Sequence, residues 1–319
     1  PPSASPSTTP SASPGASPSA SPSASPSASP SASPSASPSA SPPASSASGD
    51  VHLHHAGGGS FDLRGYDGAF MSMLQVASLS LNARFTFTNF TLGPEDPRAG
   101  EVLEVHGSHM TAAYALVAVG AKTVKVEYDA AARPFTARVT AERDGTPTFE
   151  LALTPAHGPL AVGDVTIELR RAQPVELVLS STDWRVTAKP ATYRAADGSR
   201  MTRLDLAVVA LTDALAASVA PHGLLGQGFD GLHIDGKTDD YVPDEKGRFV
   251  TTAQGEGAIE GSVADYRVAS PFATNMKFGR FGKLAAAPRD VTKLNAPAGA
   301  RTPMAHGARA TSEDGDASA

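Results

Sequence analysis

The chain has 319 residues, no cysteine and a formal net charge of −6. Without cysteine it has no disulfide, no thiol nucleophile and no thiolate metal site, and an acidic chain whose predicted strands show no basic stripe is poorly suited to nucleic acid. The sequence contains no run of about 18 consecutive apolar residues, so we expect no membrane span.

Residues 1–48 form the first predicted segment, a Ser/Ala/Pro stalk. It repeats Ser-Ala-Ser-Pro from about Ser11 to Pro42 and has no charge and no large apolar side chain. Such a segment cannot bury enough surface to offset its conformational entropy, and regular proline favours an extended polyproline II spacer. The composition is typical of O-glycosylated stalks, which predicts an extracellular or cell-wall location; the alternative is an unmodified cytosolic linker.

Residues 49–282 form the predicted folded domain, in which apolar residues recur with a period of two. Alternating runs of this kind indicate strands with one buried face. Asp-Gly dipeptides, which favour tight hairpin turns, are spread between them. We therefore predict an all-β class: a single large antiparallel domain, a sandwich-like meander, with few and short helices. The runs are Leu79–Phe87, Val124–Tyr128, Phe149–Leu153, Val165–Leu169, Val175–Leu179 and Trp184–Val186.

The C-terminal segment 283–319 is rich in Ala, Gly and polar residues and lacks periodic hydrophobicity. This composition predicts a disordered tail. At the other end the chain begins at Pro1, with neither Met nor an apolar segment, as we expect of a mature form or a fragment.

Two distant motifs carry a family resemblance. Gly49-Asp50-Val51-His52-Leu53 opens the domain and is followed by Phe61-Asp62-Leu63-Arg64-Gly65; near the other end stand His222-Gly-Leu-Leu-Gly-Gln-Gly-Phe-Asp-Gly231 and then Asp239-Asp240-Tyr241. Together they resemble the von Willebrand factor type D domain, most closely its cysteine-free variant in the C-terminal region of inter-alpha-trypsin inhibitor heavy chains. They are also similar to plant root-cap and algal secreted proteins.

The resemblance implies a calcium site. Carried over residue by residue, its ligands are Asp50, Gln227, Asp230, Asp239 and Asp240. Calcium binds six to eight oxygens of carboxylates, amides and carbonyls, so both motifs must meet in space. Two departures stand out, since Gln227 replaces an Asn of the family pattern and Gly228 is an added residue. The alternative is a pair of solvated Asp-Gly turns.

The family places a disulfide-bonded cysteine where this chain has Leu225. We expect Leu225 to be buried, with apolar packing in place of the covalent link.

The histidines of the opening segment suggest other chemistry. His52, His54 and His55 are close in sequence, and neutral imidazole is a common ligand of zinc and copper. The alternative is one packed histidine and two surface residues. Separately, Asn89-Phe90-Thr91 is an N-glycosylation sequon.

The sequence contains none of the common hydrolase, phosphate-loop or zinc-protease motifs. We expect a non-enzymatic extracellular matrix or cell-wall protein with a structural or adhesive role, whose partner is another extracellular protein or a glycan. Calcium is the candidate stabilising ion. Two alternatives stay open: a secreted metal-dependent enzyme using the His52, His54 and His55 cluster, and a storage or developmental protein without a specific ligand.

Overall fold

The structure is a computed structural model that describes residues 41–92, 103–212, 221–239 and 241–279, all within one unit that begins at Ser41. In these residues it has sixteen strands and two short 3₁₀ turns, and no α-helix. The all-β prediction is confirmed. The described part of the chain offers no helix with the length and apolar character needed to cross a bilayer.

The strands are β1 (Ala44–Ser48), β2 (His52–His54), β3 (Ser60–Asp62), β4 (Phe70–Gln75), β5 (Leu79–Leu92), β6 (Leu103–Val119), β7 (Lys122–Asp129), β8 (Ala137–Arg143), β9 (Thr146–Leu153), β10 (Leu160–Val162), β11 (Val165–Arg170), β12 (Glu176–Ser180), β13 (Trp184–Arg194), β14 (Arg200–Ala210), β15 (Arg248–Val250) and β16 (Arg267–Val268). The 3₁₀ turns span Gly226–Asp230 and Val263–Tyr266.

Two eight-stranded sheets build the sandwich. The first has the order β10-β11-β12-β13-β14-β1-β2-β3, and the second has the path β16-β4-β5-β6-β7-β8-β9 with β15 added parallel to β6. Strands β4 to β9 and β10 to β14 are neighbours in chain order, which is the predicted antiparallel meander. At the turn between β8 and β9, Asp144 and Gly145 have φ angles of 52° and 76°, the positive values that a tight hairpin turn requires.

The inward faces of both sheets form one large apolar core that includes Trp184, Tyr128 and Phe85. A smaller apolar cluster forms where the β5-β6 hairpin extends beyond this core, and its members are Phe90, Leu103, Val105 and Tyr241. The late segment around Tyr241 is therefore packed against the far end of the hairpin rather than left as a surface loop.

Strand β1 corrects the predicted start of the folded domain. The stalk was expected to run to residue 48, but Ala44–Ser48 pair with β14 on one side and with β2 on the other. Ser45 and Ala47 are fully buried. Small residues such as these carry no hydrophobic signal, so their burial depends on the neighbouring strands. The predicted tail, 283–319, lies outside the described residues.

Candidate functional site

The opening and late motifs meet in space at two places. At the first, the His55 ring Nε2 donates to the Leu224 carbonyl at 3.1 Å, and the Gly57 amide donates to the Gly228 carbonyl at 3.0 Å. At the second, the Tyr241 hydroxyl lies 3.3 Å from the Asp50 Oδ2 oxygen. The prediction that these motifs are neighbours is confirmed.

The second meeting place is a polar network that we call the acid–imidazole cluster: Asp50, His52, Asp62, Asp239 and Tyr241. The His52 Nδ1 atom lies 2.5 Å from Asp62 Oδ1, and its Nε2 atom lies 3.3 Å from the Tyr241 hydroxyl. The other Asp62 oxygen, Oδ2, accepts the Asp239 amide at 2.7 Å. The His52 imidazole thus contacts one carboxylate, Asp62, directly and reaches a second, Asp50, through the Tyr241 hydroxyl.

Asp50 is the buried end of this cluster, with 6% of its surface exposed. Its Oδ1 oxygen accepts the Ser108 amide at 2.7 Å, and a Cβ on Gly107 would overlap the carboxyl group. Burial raises the pKa of Asp50 to about 6, against the lowering effect of the Ser108 hydrogen bond. The folded protein holds this proton more tightly than the unfolded chain, so the contribution of Asp50 to stability falls as pH rises from about 4 to 6.

His109 lies beside the cluster on β6 and is buried. Its Nδ1 donates to the Gly49 carbonyl at 2.8 Å, and its ring centroid lies 4.2 Å from that of Tyr193. Burial lowers the pKa of His109 to about 4. Here the unfolded chain holds the proton more tightly, so the contribution of His109 to stability falls as pH is lowered from 6.5 to about 4. The two buried groups therefore titrate in one pH range with opposite effects.

Backbone strain is concentrated at the same cluster. Val51 and Tyr241 have φ angles of 36° and 53°, a region that is unfavourable for β-branched and bulky side chains. Such conformations persist where the surrounding structure holds them. The Val51 carbonyl accepts the Leu63 amide at 3.1 Å, and both side chains are buried.

The late Gly-Leu-Leu-Gly motif lines strand β4. The Leu224 and Leu225 amides donate to the carbonyls of Ser72 and Met73 at 3.0 and 2.8 Å. Gly223 has a φ angle of 103°, and a Cβ there would overlap the Met73 backbone. Leu225 is fully buried, so its predicted burial is confirmed.

A second polar cluster surrounds Gln227 beneath the motif. The Gln227 Oε1 oxygen accepts the Glu260 amide at 3.0 Å and the Tyr266 hydroxyl at 3.3 Å. His222, which is almost fully buried, lies 3.0 Å from the Glu260 carboxyl and stacks on Tyr266. The Gln227 amide oxygen, which the resemblance implies as a calcium ligand, thus accepts hydrogen bonds from the segment 260–266.

The structure describes four of the five implied calcium ligands, and these four have different surroundings. Asp50 and Asp239 belong to the acid–imidazole cluster, whereas Gln227 belongs to the cluster just described. Asp230 is exposed, and its Oδ1 accepts the amide of Leu232 two residues on. Asp240 lies outside the described residues.

The four described members of the implied donor set are not grouped around a single position that a calcium ion could occupy. The Asp239 Oδ1 oxygen accepts the Thr252 and Ala253 amides at 2.9 and 3.2 Å, as Asp50 accepts Ser108. Within the described residues, no three His, Asp or Glu side chains are grouped so as to hold a metal ion. The described oxygens of the set instead accept hydrogen bonds from the chain itself.

The three clustered histidines also have three different surroundings. His52 contacts Asp62 and Tyr241, His54 is exposed, and His55 is buried with its ring edge-on to Phe61 at 5.0 Å. Asn89, the sequon residue, is exposed on β5 and not in a loop. Its amide oxygen lies 2.8 Å from the His106 ring.

Sequence reasoning did not assign a role to Asp62, Tyr241 or His109. A signal for Asp62 exists, because the turn Gly57-Gly58-Gly59 closes a hairpin in which His52 and Asp62 are opposite one another. The partners of Tyr241 and His109 are distant in the chain: Tyr241 contacts Asp50, 191 residues away, and His109 contacts Gly49, 60 residues away. No local sequence pattern reports such contacts.

No protein-family model matches the chain, and the comparison with curated proteins finds no match. The resemblance to type D domains rests on the two motifs, and it stays a prediction.

Proposed function

We propose that this chain is a non-enzymatic extracellular matrix or cell-wall protein in which a β-sandwich with a structural or adhesive role is carried on a Ser/Ala/Pro stalk. The observation that supports the proposal best is the junction between the stalk and the sandwich. The repeat ends at Pro42, and β1 begins two residues later between β14 and β2. A force applied through the stalk then acts on two hydrogen-bonded ladders at once, because β1 is paired with β14 on one edge and with β2 on the other.

The motif residues support a structural role. In the acid–imidazole cluster the carboxylates of Asp50, Asp62 and Asp239 accept hydrogen bonds from backbone amides. His52 links Asp62, which it contacts directly, to Asp50, which it reaches through the Tyr241 hydroxyl. Satisfied buried polar networks rigidify a fold and specify one arrangement of its segments. Here the network joins the start of the domain to a loop nearly two hundred residues later.

The partner that we propose is another extracellular protein or a glycan. The composition of the Ser/Ala/Pro segment favours an extended conformation, and we propose that this segment sets the distance of the domain from the wall. The outer faces and loops of the sandwich are then available for adhesion.

Fractionation of the cells that produce the protein tests the proposal. We expect protease added to intact cells to remove it, and the intact chain to be recovered with the wall or matrix. A matched variant that lacks residues 1–43 keeps the whole of β1, and we expect it to be exported but released from the wall fraction. Protection of the full-length chain from protease until the cells are lysed would contradict an extracellular role.

A further inference from the structure

A surface pocket lies at Asn89. It has a volume of about 480 Å³ and opens between strand β5 and the turn that joins β13 to β14. The two walls are held together, since the Ala196 amide donates to the Asn89 carbonyl at 3.0 Å. The lining residues are Phe87, Thr88, Asn89, Ala195, Ala196 and Asp197.

The sequon is presented on one face of β5. Because side chains alternate along a strand, Phe87, Asn89 and Thr91 point to the same side, and both Phe87 and Asn89 are exposed. The Asn89 Oδ1 oxygen accepts the His106 Nδ1–H at 2.8 Å. This bond turns the amide nitrogen away from the imidazole, and it survives attachment of a sugar to Nδ2 because the oxygen is unchanged.

Phe87 supplies an apolar surface next to the amide. The Arg64 guanidinium carbon lies 4.3 Å from the centre of the Phe87 ring, which fixes the ring, yet 37% of the residue is exposed. An aromatic face is electron-rich, so it suits the C–H-bearing face of a sugar ring. The Asp197 carboxylate on the opposite wall accepts the Ser199 amide through Oδ1, and its other oxygen is suited to a sugar hydroxyl.

We propose that Asn89 carries an N-linked glycan and that this pocket seats its first sugar, an N-acetylhexosamine, against Phe87. In the modification the Asn89 Nδ2 attacks C1 of the sugar of a lipid-diphosphate-linked oligosaccharide. The N–C1 bond forms, the C1–O bond to the diphosphate breaks, one amide proton is released and the lipid diphosphate leaves. The proposal rests on the proposed function in one respect, because the chain must enter a secretory pathway.

Occupancy is tested on the full chain, secreted from a eukaryotic host behind a signal peptide. Asn89-Phe90-Thr91 is the one sequon of the sequence, so any N-glycan reports on Asn89. We expect intact mass to show a glycan that peptide N-glycosidase removes, kept in Thr91→Ser and lost in Thr91→Ala. An unmodified Asn89 in secreted wild-type protein overturns the inference, while secretion and retention in the matrix still test the proposed function separately.

Seating of the sugar needs a second measurement. The glycoprotein is trimmed to its first sugar with an endoglycosidase, and its melting temperature is compared with that of the unglycosylated chain. We expect the single sugar to raise the melting temperature by about 2–4 °C in the wild type, and to have almost no effect in Phe87→Ala or Phe87→Leu. Phe149→Ala, which alters a phenylalanine of similar exposure on β9, keeps the full increase. An increase that survives in both Phe87 variants overturns the seating.

Discussion

The Leu225→Ala variant tests whether apolar packing holds the late motif in place. Leu225 is fully buried in the main core, and its backbone amide donates a hydrogen bond to the Met73 carbonyl. The flanking Gly223 is in close contact with the β4 backbone, so the segment cannot move inward to fill the space that a smaller side chain leaves. Truncation of a buried leucine costs about 2–5 kcal/mol, and we expect a loss in the upper half of that range because the site cannot collapse.

Urea unfolding of the described domain gives the measurement, with an unchanged slope as the sign that only stability has changed. Since 1 kcal/mol corresponds to about 2–4 °C for a domain of this size, the melting temperature falls by roughly 7–20 °C. The matched control is Leu232→Ala, because Leu232 is 50% exposed in the same segment, and it changes stability by no more than about 0.5 kcal/mol. A loss that small for Leu225→Ala would refute the packing argument.

The remaining predictions concern the acid–imidazole cluster and the stalk junction. As pH rises from 4 to 7, the free energy of unfolding of Asp50→Asn increases relative to that of the wild type by on the order of 2–3 kcal/mol, since each pKa unit corresponds to about 1.4 kcal/mol. The free energy of unfolding of His109→Gln, relative to the wild type, changes in the opposite direction over the same pH range. Differences in urea unfolding that do not vary with pH would contradict both signs. Melting temperatures in EDTA and in added calcium agree within about 1 °C, because the described oxygens of the implied ligand set already accept hydrogen bonds. A calcium-dependent rise in melting temperature that Asp50→Asn abolishes would disprove this prediction. A chain starting at residue 44 has the same melting temperature as the full chain. A chain starting at residue 49 loses several kcal/mol of unfolding free energy, because the hydrogen bonds of β1 are absent and each contributes about 0.5–1.5 kcal/mol. Equal melting temperatures for the two shortened chains would show that residues 44–48 belong to the stalk.

Much of the fold could be predicted from local patterns. The alternation in Val124–Tyr128 and in Val165–Leu169 marks strands β7 and β11 with one inward face, because the side-chain period of a strand is two. Asp144-Gly145 marks a hairpin turn, because glycine readily adopts a positive φ angle. The burial of Leu225 followed from the resemblance, and the structure bears it out.

The neighbours of each motif were decided by tertiary packing. The late segment divides, with Gln227 held under β4 by Glu260 and Tyr266, while Asp239 crosses to Asp62. Three residues of the implied ligand set therefore lie in two polar clusters, and a fourth, Asp230, is exposed.

The sequence by itself determined the class of the fold, the strand runs and the turns, since these depend on side-chain alternation and backbone preference within a few residues. Tertiary structure alone decided that Ser45 and Ala47 are buried in a central strand and that Asp50 lies against Tyr241. The physical reason is that strand pairing and burial depend on segments more than a hundred residues apart in the chain. Small or polar residues give no local sign of the surface that will cover them.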